Sequence, residues 1–421
     1  MTTRHRRRAA FVLVAAGVVL QVVLTGLAAA GPEQPPPTPV PPDGSLSPFP
    51  QSLDTPEPPD APPIVSAPSV VLADLDTGQV LFSKDPAVRR PIASVTKIMT
   101  ALLVLERSDP GEMVTVPPDA VLETPEGIST LGLGEGERIS VGDLLYALLL
   151  QSANDAAVAL ADHVSGSEDR FVHLMNARAA RLGLRGTEFR SPNGLDDRGY
   201  STARDLATLT RVAYRIPAFE QIATTKFRTI PAPDGGVREI QNRNVLLWLY
   251  PGAIGVKTGF TTAAGFCVVG AAQREDRRLV AVVLGAPSDA FSDAATLLNY
   301  GFAAFTEHTF LERGSPEGVV ALPGGGVPVE TGAALRALVP ISGLGQVEQR
   351  IAVDPSAAYP PAPGERVATL TVSIPGLEVG RVPLVVSAVP PPPPPPDGSW
   401  WSRSLSAVTD AVGDAVGAVT G

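Results

Sequence analysis

The apolar positions of this 421-residue chain change period several times between two proline-rich stretches, and each change predicts an element. Ser69 to Leu75 is a dense apolar run, Asp76-Thr77-Gly78 is a turn signal, and Gln79 to Ser83 resumes the run, which reads as strand, turn, strand. After Pro91-Ile92-Ala93, Ser94 opens a stretch, Ile98-Met99-Thr100-Ala101-Leu102-Leu103-Val104-Leu105, that predicts a buried helix. From about Pro110 to Ile230 the pattern is mainly helical, most clearly over Val141 to Val164 and Ser201 to Tyr214. Gly265 to Gln273 and Arg278 to Gly285 alternate around a charged turn and predict an antiparallel hairpin, and Phe291 to Phe305 predicts a further helix. Strands, helices, strands, helix is not the regular alternation of a parallel sheet. It fits an α+β domain over 64–310, an antiparallel sheet flanked by helices with a helical insertion. From about Ser315 to Val389, short valine-rich runs between Gly and Pro predict a separate small β-rich domain, 315–389.

The ends of the chain follow other patterns. Arg4, Arg6, Arg7 and Arg8 precede an apolar stretch from Ala9 to Leu27, and Ala28-Ala29-Ala30 stands before Gly31. That predicts a signal peptide over 1–30, with an uncleaved anchor the alternative for the same stretch. Either places the rest of the chain outside the cytoplasm, secreted or membrane-anchored. Residues 31–63 are proline-rich and predict an extended linker, and Pro390 to Pro396 opens a second one within 390–421. Beyond it, Trp400-Trp401 and Leu405, Val408, Val412 and Val416 sit at helical spacing. Two readings stand for this tail: a helix seated at a membrane surface, and a frayed terminal helix whose Asp410 and Asp414 oppose anionic lipid.

Composition narrows the function. A net charge of −10 argues against nucleic acid as a partner. The single cysteine, Cys267, lies in an apolar run and predicts a buried core thiol. His5, His163, His173 and His308 belong to no metal motif, so neither metal nor cofactor is expected. There are only four lysines, Lys84, Lys97, Lys226 and Lys257. Arginine can stand in for lysine wherever charge alone is wanted, but not where an amine must shed its proton. Lys84 and Lys226 have no recognisable motif around them and read as packing residues. The other two sit in motifs.

In Ser94-Val95-Thr96-Lys97, a helix starting at Ser94 would bring Lys97 one turn on to the same side. The hydroxyl would then feel the positive end of the helix dipole, and a neutral amine within reach could take its proton. The alternative is a plain N-cap serine. Ser152-Ala153-Asn154 interrupts an apolar helix with a hydroxyl and an amide, which could relay a proton and hold a substrate amide; the alternative is a turn or a contact between small residues. In Lys257-Thr258-Gly259 on a strand, lysine and glycine face one way and threonine the other. Glycine admits a second backbone, and such an edge can pair with an extended peptide while the lysine attracts a carboxylate. Each motif alone is weak. Together and in this order they make up the set that marks the penicillin-recognising serine enzymes.

On these motifs the chain resembles the low-molecular-mass penicillin-binding proteins of the D-alanyl-D-alanine carboxypeptidase family, from roughly Pro63 to Thr306. The resemblance extends to Pro91–Thr100, Asp143–Leu149, Ser191-Pro192-Asn193-Gly194-Leu195-Asp196, Tyr200–Leu206 and Asn242-Arg243-Asn244 before Trp248. It implies a peptidoglycan D,D-carboxypeptidase in which Ser94 is acylated by the penultimate D-alanine carbonyl, with Lys97 as general base. Ser152 would pass a proton to the leaving amine, with Asn154 and Lys257 in the same network. The N–H groups of Ser94 and Phe260 would form the oxyanion hole, and Thr258 and Thr261, next to Gly259, would meet the substrate carboxylate. Implied partners are peptidoglycan stem peptides, and β-lactams as covalent inhibitors. Two departures stand out. Where several relatives carry a carboxylate-binding arginine, this chain has Ser288-Asp289-Ala290-Phe291-Ser292, leaving Arg243 to take part of that role, and the second motif has Ala153 in its middle. A D,D-endopeptidase would use the same residues. A serine β-lactamase is disfavoured because Arg190–Leu195 supplies no glutamate, and a non-catalytic wall-binding module would need neither Ser94 nor Lys97.

Overall fold

The computed structural model describes residues 62–121, 128–375 and 377–387. The expected signal or anchor (1–30), all but the end of the linker (31–63) and the tail (390–421) lie outside them. Among the described residues no helix is long and apolar enough to cross a membrane.

β1 (Ser69–Asp74) and β2 (Val80–Lys84) form the expected hairpin, its turn held by the Asp74 carboxylate, which accepts from the N–H groups of Asp76 and Thr77. A 3-10 turn, Ala93–Thr96, leads into α1 (Lys97–Leu105), in which every residue but the last is buried. The stretch read as mainly helical contains β3 (Met113–Thr115) paired with β4 (Arg138–Ser140), then α2 (Val141–Tyr146), α3 (Asn154–Ser165), α4 (Glu168–Arg181), α5 (Ala203–Ala213) and α6 (Pro217–Thr224). Caps explain several of these boundaries. Ser140, Ser167 and Thr202 each accept from the N–H three residues on, and Gly166 ends α3 in the left-handed conformation. A second hairpin, β5 (Phe227–Pro231) and β6 (Val237–Gln241), and the short α7 (Leu246–Leu249) precede β7 (Ala253–Thr261). These small hairpins are too short and too exposed to leave a clear period in the sequence.

β7, β8 (Gly265–Arg274) and β9 (Arg277–Ala286) form a meander, and β1 pairs with β9, giving an antiparallel sheet in the order β2-β1-β9-β8-β7. The predicted hairpin is therefore present, but its strands do not alternate between core and solvent. Val269, Ala271, Val280 and Val282 face a core built with α1, α3 and α5; Val268, Ala272, Ala281 and Val283 face a second core against α8 (Ala290–Ala304). Burial on both faces is why these strands read as near-continuous apolar runs. Each fully buried Val or Leu here is worth about 1.5–3 kcal/mol relative to exposure.

β10 (Phe305–Leu311) follows α8 directly. It is succeeded by β11 (Pro316–Leu322), β12 (Gly325–Thr331), β13 (Leu335–Pro340), β14 (Glu348–Val353), β15 (Arg366–Ile374) and β16 (Leu377–Val386). Five of these make the sheet β11-β12-β16-β15-β14 over a third core that includes Val327, Val367, Leu370 and Leu384, while β10 pairs with β13.

Candidate active site

The three motifs converge where the turn before α1, the break between α2 and α3, and the edge strand β7 meet. Ser94 does not cap α1: it lies inside the 3-10 turn, and no side chain caps either the turn or the helix. The turn is held in an unusual shape, with Ala93 at φ +47. Asn193-Gly194 press on it from outside; Gly194 has φ +83, and a Cβ there would sit 2.0 Å from the Ala93 carbonyl oxygen. Only glycine fits, since a side chain meets both the backbone and a disfavoured φ.

Lys97 is wholly buried, and its Nζ lies 2.8 Å from Ser94 Oγ, 2.8 Å from Asn154 Oδ1 and 2.7 Å from the Asn193 carbonyl oxygen. The amide orientation of Asn154 is fixed independently, because its Nδ2 donates to the Ser129 carbonyl at 3.0 Å. Burial holds the Lys97 pKa well below the ordinary lysine value, and the nearby charges of Lys257 and Arg243 push it the same way; Asp155 opposes them. A neutral amine has two N–H donors and one lone pair. Asn154 Oδ1 and the Asn193 carbonyl can only accept, so they take both protons. The lone pair is left for the Ser94 hydroxyl.

The predicted helix over Val141–Val164 is broken where the second motif falls. After α2 the chain widens into a π-turn, Ala147–Gln151, and Ser152 adopts a left-handed conformation (φ 66, ψ 28) before α3 starts at Asn154. The apolar run Ala147–Leu150 stays buried through the π-turn, so burial masks the break in the sequence pattern. Ser152 is buried at 3% exposure beside Asn154. Asp155, the next residue after Asn154, accepts from the backbone N–H groups of Leu131, Gly132, Leu133 and Ala156. Ser129 of the same loop accepts from Asn154 N and Nδ2. The loop 129–133 is thus strapped onto the motif, a role that sequence reading missed because nothing near Asp155 marks it.

β7 brings the third motif. Gly259 lies against the Ser94 turn: a Cβ on it would sit 2.9 Å from Ser94 N, 3.0 Å from Ile92 O and 3.0 Å from Val95 N. The close backbone approach expected of this glycine is present. It sets Phe260 next to the Ser94 turn, with its ring against Phe266. Lys257 is 1% exposed, and burial, reinforced by Arg243, pushes its pKa down to about 7. Arg243, on the loop after β6, is tied to the π-turn through its backbone N–H, which donates to Leu150 O at 2.9 Å, and burial lowers its own pKa. Thr261 Oγ1 donates to Asp197 Oδ1 at 2.7 Å. Of the remaining lysines, Lys84 ties Val65 and Ala67 carbonyls to β2, and Lys226 lies over the Trp248 ring. Cys267 is buried, and burial raises its thiol pKa to about 11.

A buried, proton-poor amine against a serine hydroxyl, with an amide and a second lysine beside it, is an arrangement suited to acyl transfer. Comparison with known proteins agrees. The family model described as D-alanyl-D-alanine carboxypeptidase (peptidase S11) matches residues 55–288. Carboxypeptidase DacB2 of Mycobacterium tuberculosis is 41% identical over 242 residues, covering 55% of this chain and 81% of that protein. DacD of Escherichia coli is 40% identical over 270 residues, covering 61% and 68%. Among solved structures, penicillin-binding protein 5 of Haemophilus influenzae superposes with a TM-score of 0.66 at 29% identity, covering 79% of this chain and 99% of its own. The chain belongs to the D-alanyl-D-alanine carboxypeptidase family: a serine-type, penicillin-binding hydrolase that acts on peptidoglycan outside the cytoplasm.

Proposed function

We propose that Ser94 attacks the carbonyl of the penultimate D-alanine of a stem peptide, releases the terminal D-alanine, and is regenerated by water. The observation that carries this is the set of three neighbours around Lys97 Nζ, which leaves its lone pair to Ser94 Oγ. As the Oγ–C bond forms, the serine proton passes to Lys97. The N–H groups of Ser94 and Phe260 receive the negative charge on the carbonyl oxygen, a type of interaction whose loss typically costs about 10²–10³ in rate. Ser152 then delivers its proton to the departing amine and takes in its place the proton held by Lys97, with Lys257 and Asn154 completing the network. Water attacks the acyl-enzyme by the same route in reverse. Thr258, Thr261, Lys257 and Arg243 receive the substrate carboxylate. Removal of a terminal D-alanine ranks above cleavage of crosslinks, which the same residues would perform. The third core, separate from the two around the catalytic sheet, supports a distinct β-rich domain from about residue 315.

Labelling with a fluorescent penicillin, followed by hydrolysis of a peptide ending in D-Ala-D-Ala, tests the mechanism. Ser94→Ala loses the covalent adduct, and Lys97→Arg loses acylation although charge is kept. An adduct that persists in Ser94→Ala, or a near-normal rate in Lys97→Arg, refutes it. Contact of the tail with membranes is tested by vesicle flotation of the full chain against one ending at Ser387; equal flotation discards it.

A further inference from the structure

The loop after Asn193 reaches across to the far end of the catalytic strand. Thr261 is the last residue of β7 and, by strand alternation, shares the face of Lys257 and Gly259. Its hydroxyl has one proton, and that proton goes to Asp197 Oδ1 at 2.7 Å; the oxygen also accepts from Ala264 N–H at 3.1 Å. Asp197 itself is exposed, and among the described residues no cation lies within ion-pair distance of it. The neighbouring Arg198 spends its guanidinium on both oxygens of Asp196, whose carboxyl it holds down at about 2. Asp197 is therefore a carboxylate with no ion pair among the described residues, resting on the hydroxyl that the proposed function assigns to the substrate's own carboxylate.

We propose that Asp197 sets the enzyme's preference at the C-terminal end of its substrate by competing, as an internal carboxylate, for Thr261. A ligand ending in a carboxylate must take the Thr261 proton away from Asp197 and bring a second negative charge beside it. A ligand whose terminus is uncharged, a carboxamide for instance, meets neither obstacle. Asp197 thus weakens binding of carboxylate-terminated peptides selectively and narrows the margin by which they are preferred. Asp197 does not touch the reacting atoms and works only through Thr261 and its own field.

This rests on the assignment of Thr261 to the carboxylate end of the site. The test uses the described enzyme with Asp197→Asn, which keeps an acceptor for Thr261 but removes the charge, and Asp197→Ala, which removes both. Two peptides are compared, one ending in D-Ala-D-Ala and the same peptide ending in D-Ala-D-Ala carboxamide. In Asp197→Asn the KM of the carboxylate peptide falls by about three- to tenfold, the effect of one nearby charge at a partly exposed site, while kcat stays within about twofold. The KM of the carboxamide stays within about twofold in both variants. An unchanged KM for the carboxylate peptide, a rise in it, or an equal change for both peptides overturns the proposal. Penicillin labelling keeps the two readings apart. Normal labelling at Ser94 without the KM difference removes only the role of Asp197, whereas a wild-type chain that takes no label removes the acyl-enzyme on which it rests.

Discussion

Gly259→Ala tests whether the catalytic geometry depends on backbone contact between β7 and the nucleophile's turn. The added methyl would lie 2.9–3.0 Å from three backbone atoms, Ser94 N, Ile92 O and Val95 N. Ordinary carbon contacts are about 3.5–4 Å, so strand and turn must part by roughly half an ångström. Neither side can yield by turning a side chain, because all three neighbours are backbone. Overpacking of this kind costs about 1–3 kcal/mol of stability. The cost to catalysis is larger: a misplacement of about 1 Å is worth about 10²-fold, so half of that is worth about tenfold, and more if the Ser94 or Phe260 N–H loses its aim at the developing oxyanion. The expected result is penicillin acylation slowed by about 10- to 100-fold with a folded protein and a Tm lowered by a few degrees. Gly134→Ala is the control, since a Cβ there meets nothing within 4 Å and its φ is not in the left-handed region. Wild-type acylation by Gly259→Ala, or equal slowing in both variants, would refute the argument that this contact sets the site.

Two further outcomes follow from the charges. The proposed mechanism uses Lys97 as a neutral amine, so it predicts that acylation falls as pH drops through the depressed Lys97 pKa. Lys257 loses its charge as pH rises through about 7, so KM for a carboxylate peptide climbs above that point. A KM for the carboxylate peptide that stays flat from about pH 5 to pH 9 contradicts the Lys257 assignment, and acylation that does not fall as the pH is lowered contradicts that of Lys97. Because the unfolded chain holds the Lys257 proton up to the ordinary value of 10.5, it binds more protons than the folded state between about 7 and 10.5. Stability against urea therefore rises with pH in that window. Asp155→Asn turns an N–H group toward a nest of backbone donors, and the expected destabilisation is about 1–3 kcal/mol. It also removes the one charge that favours protonated Lys97, so the acid limb of the pH profile moves to lower pH. Destabilisation with an unmoved limb would make Asp155 purely structural.

Much of the site was legible without coordinates, because its chemistry is carried by short local motifs. Ser94 and Lys97 are three residues apart, so a single turn suffices to bring them into contact. Lys84 and Lys226, read from the sequence as packing residues, tie and cover neighbouring segments. The cores were legible too, since unbroken apolar runs announce burial. What was not legible was where continuity failed. The π-turn at Ala147–Gln151 and the left-handed Ser152 sit inside a run that looks helical, because burial, and not backbone geometry, governs the pattern. Thr261 was expected to face the substrate, and only the fold reveals that Asp197 already holds its proton.

The sequence by itself determined the three motifs, the succession of helices and strands, and the scarcity of lysine that singles out Lys97 and Lys257. The tertiary structure decided their state. Ser94, Asn154, Asn193, Arg243 and Lys257 come from five separate segments, brought together by pairing β1 with β9 across two hundred residues and by packing Gly259 on the Ser94 turn. A lysine becomes a base only when burial and neighbouring cations strip its proton. Those are properties of the enclosure that long-range packing builds, and no local stretch of sequence contains them.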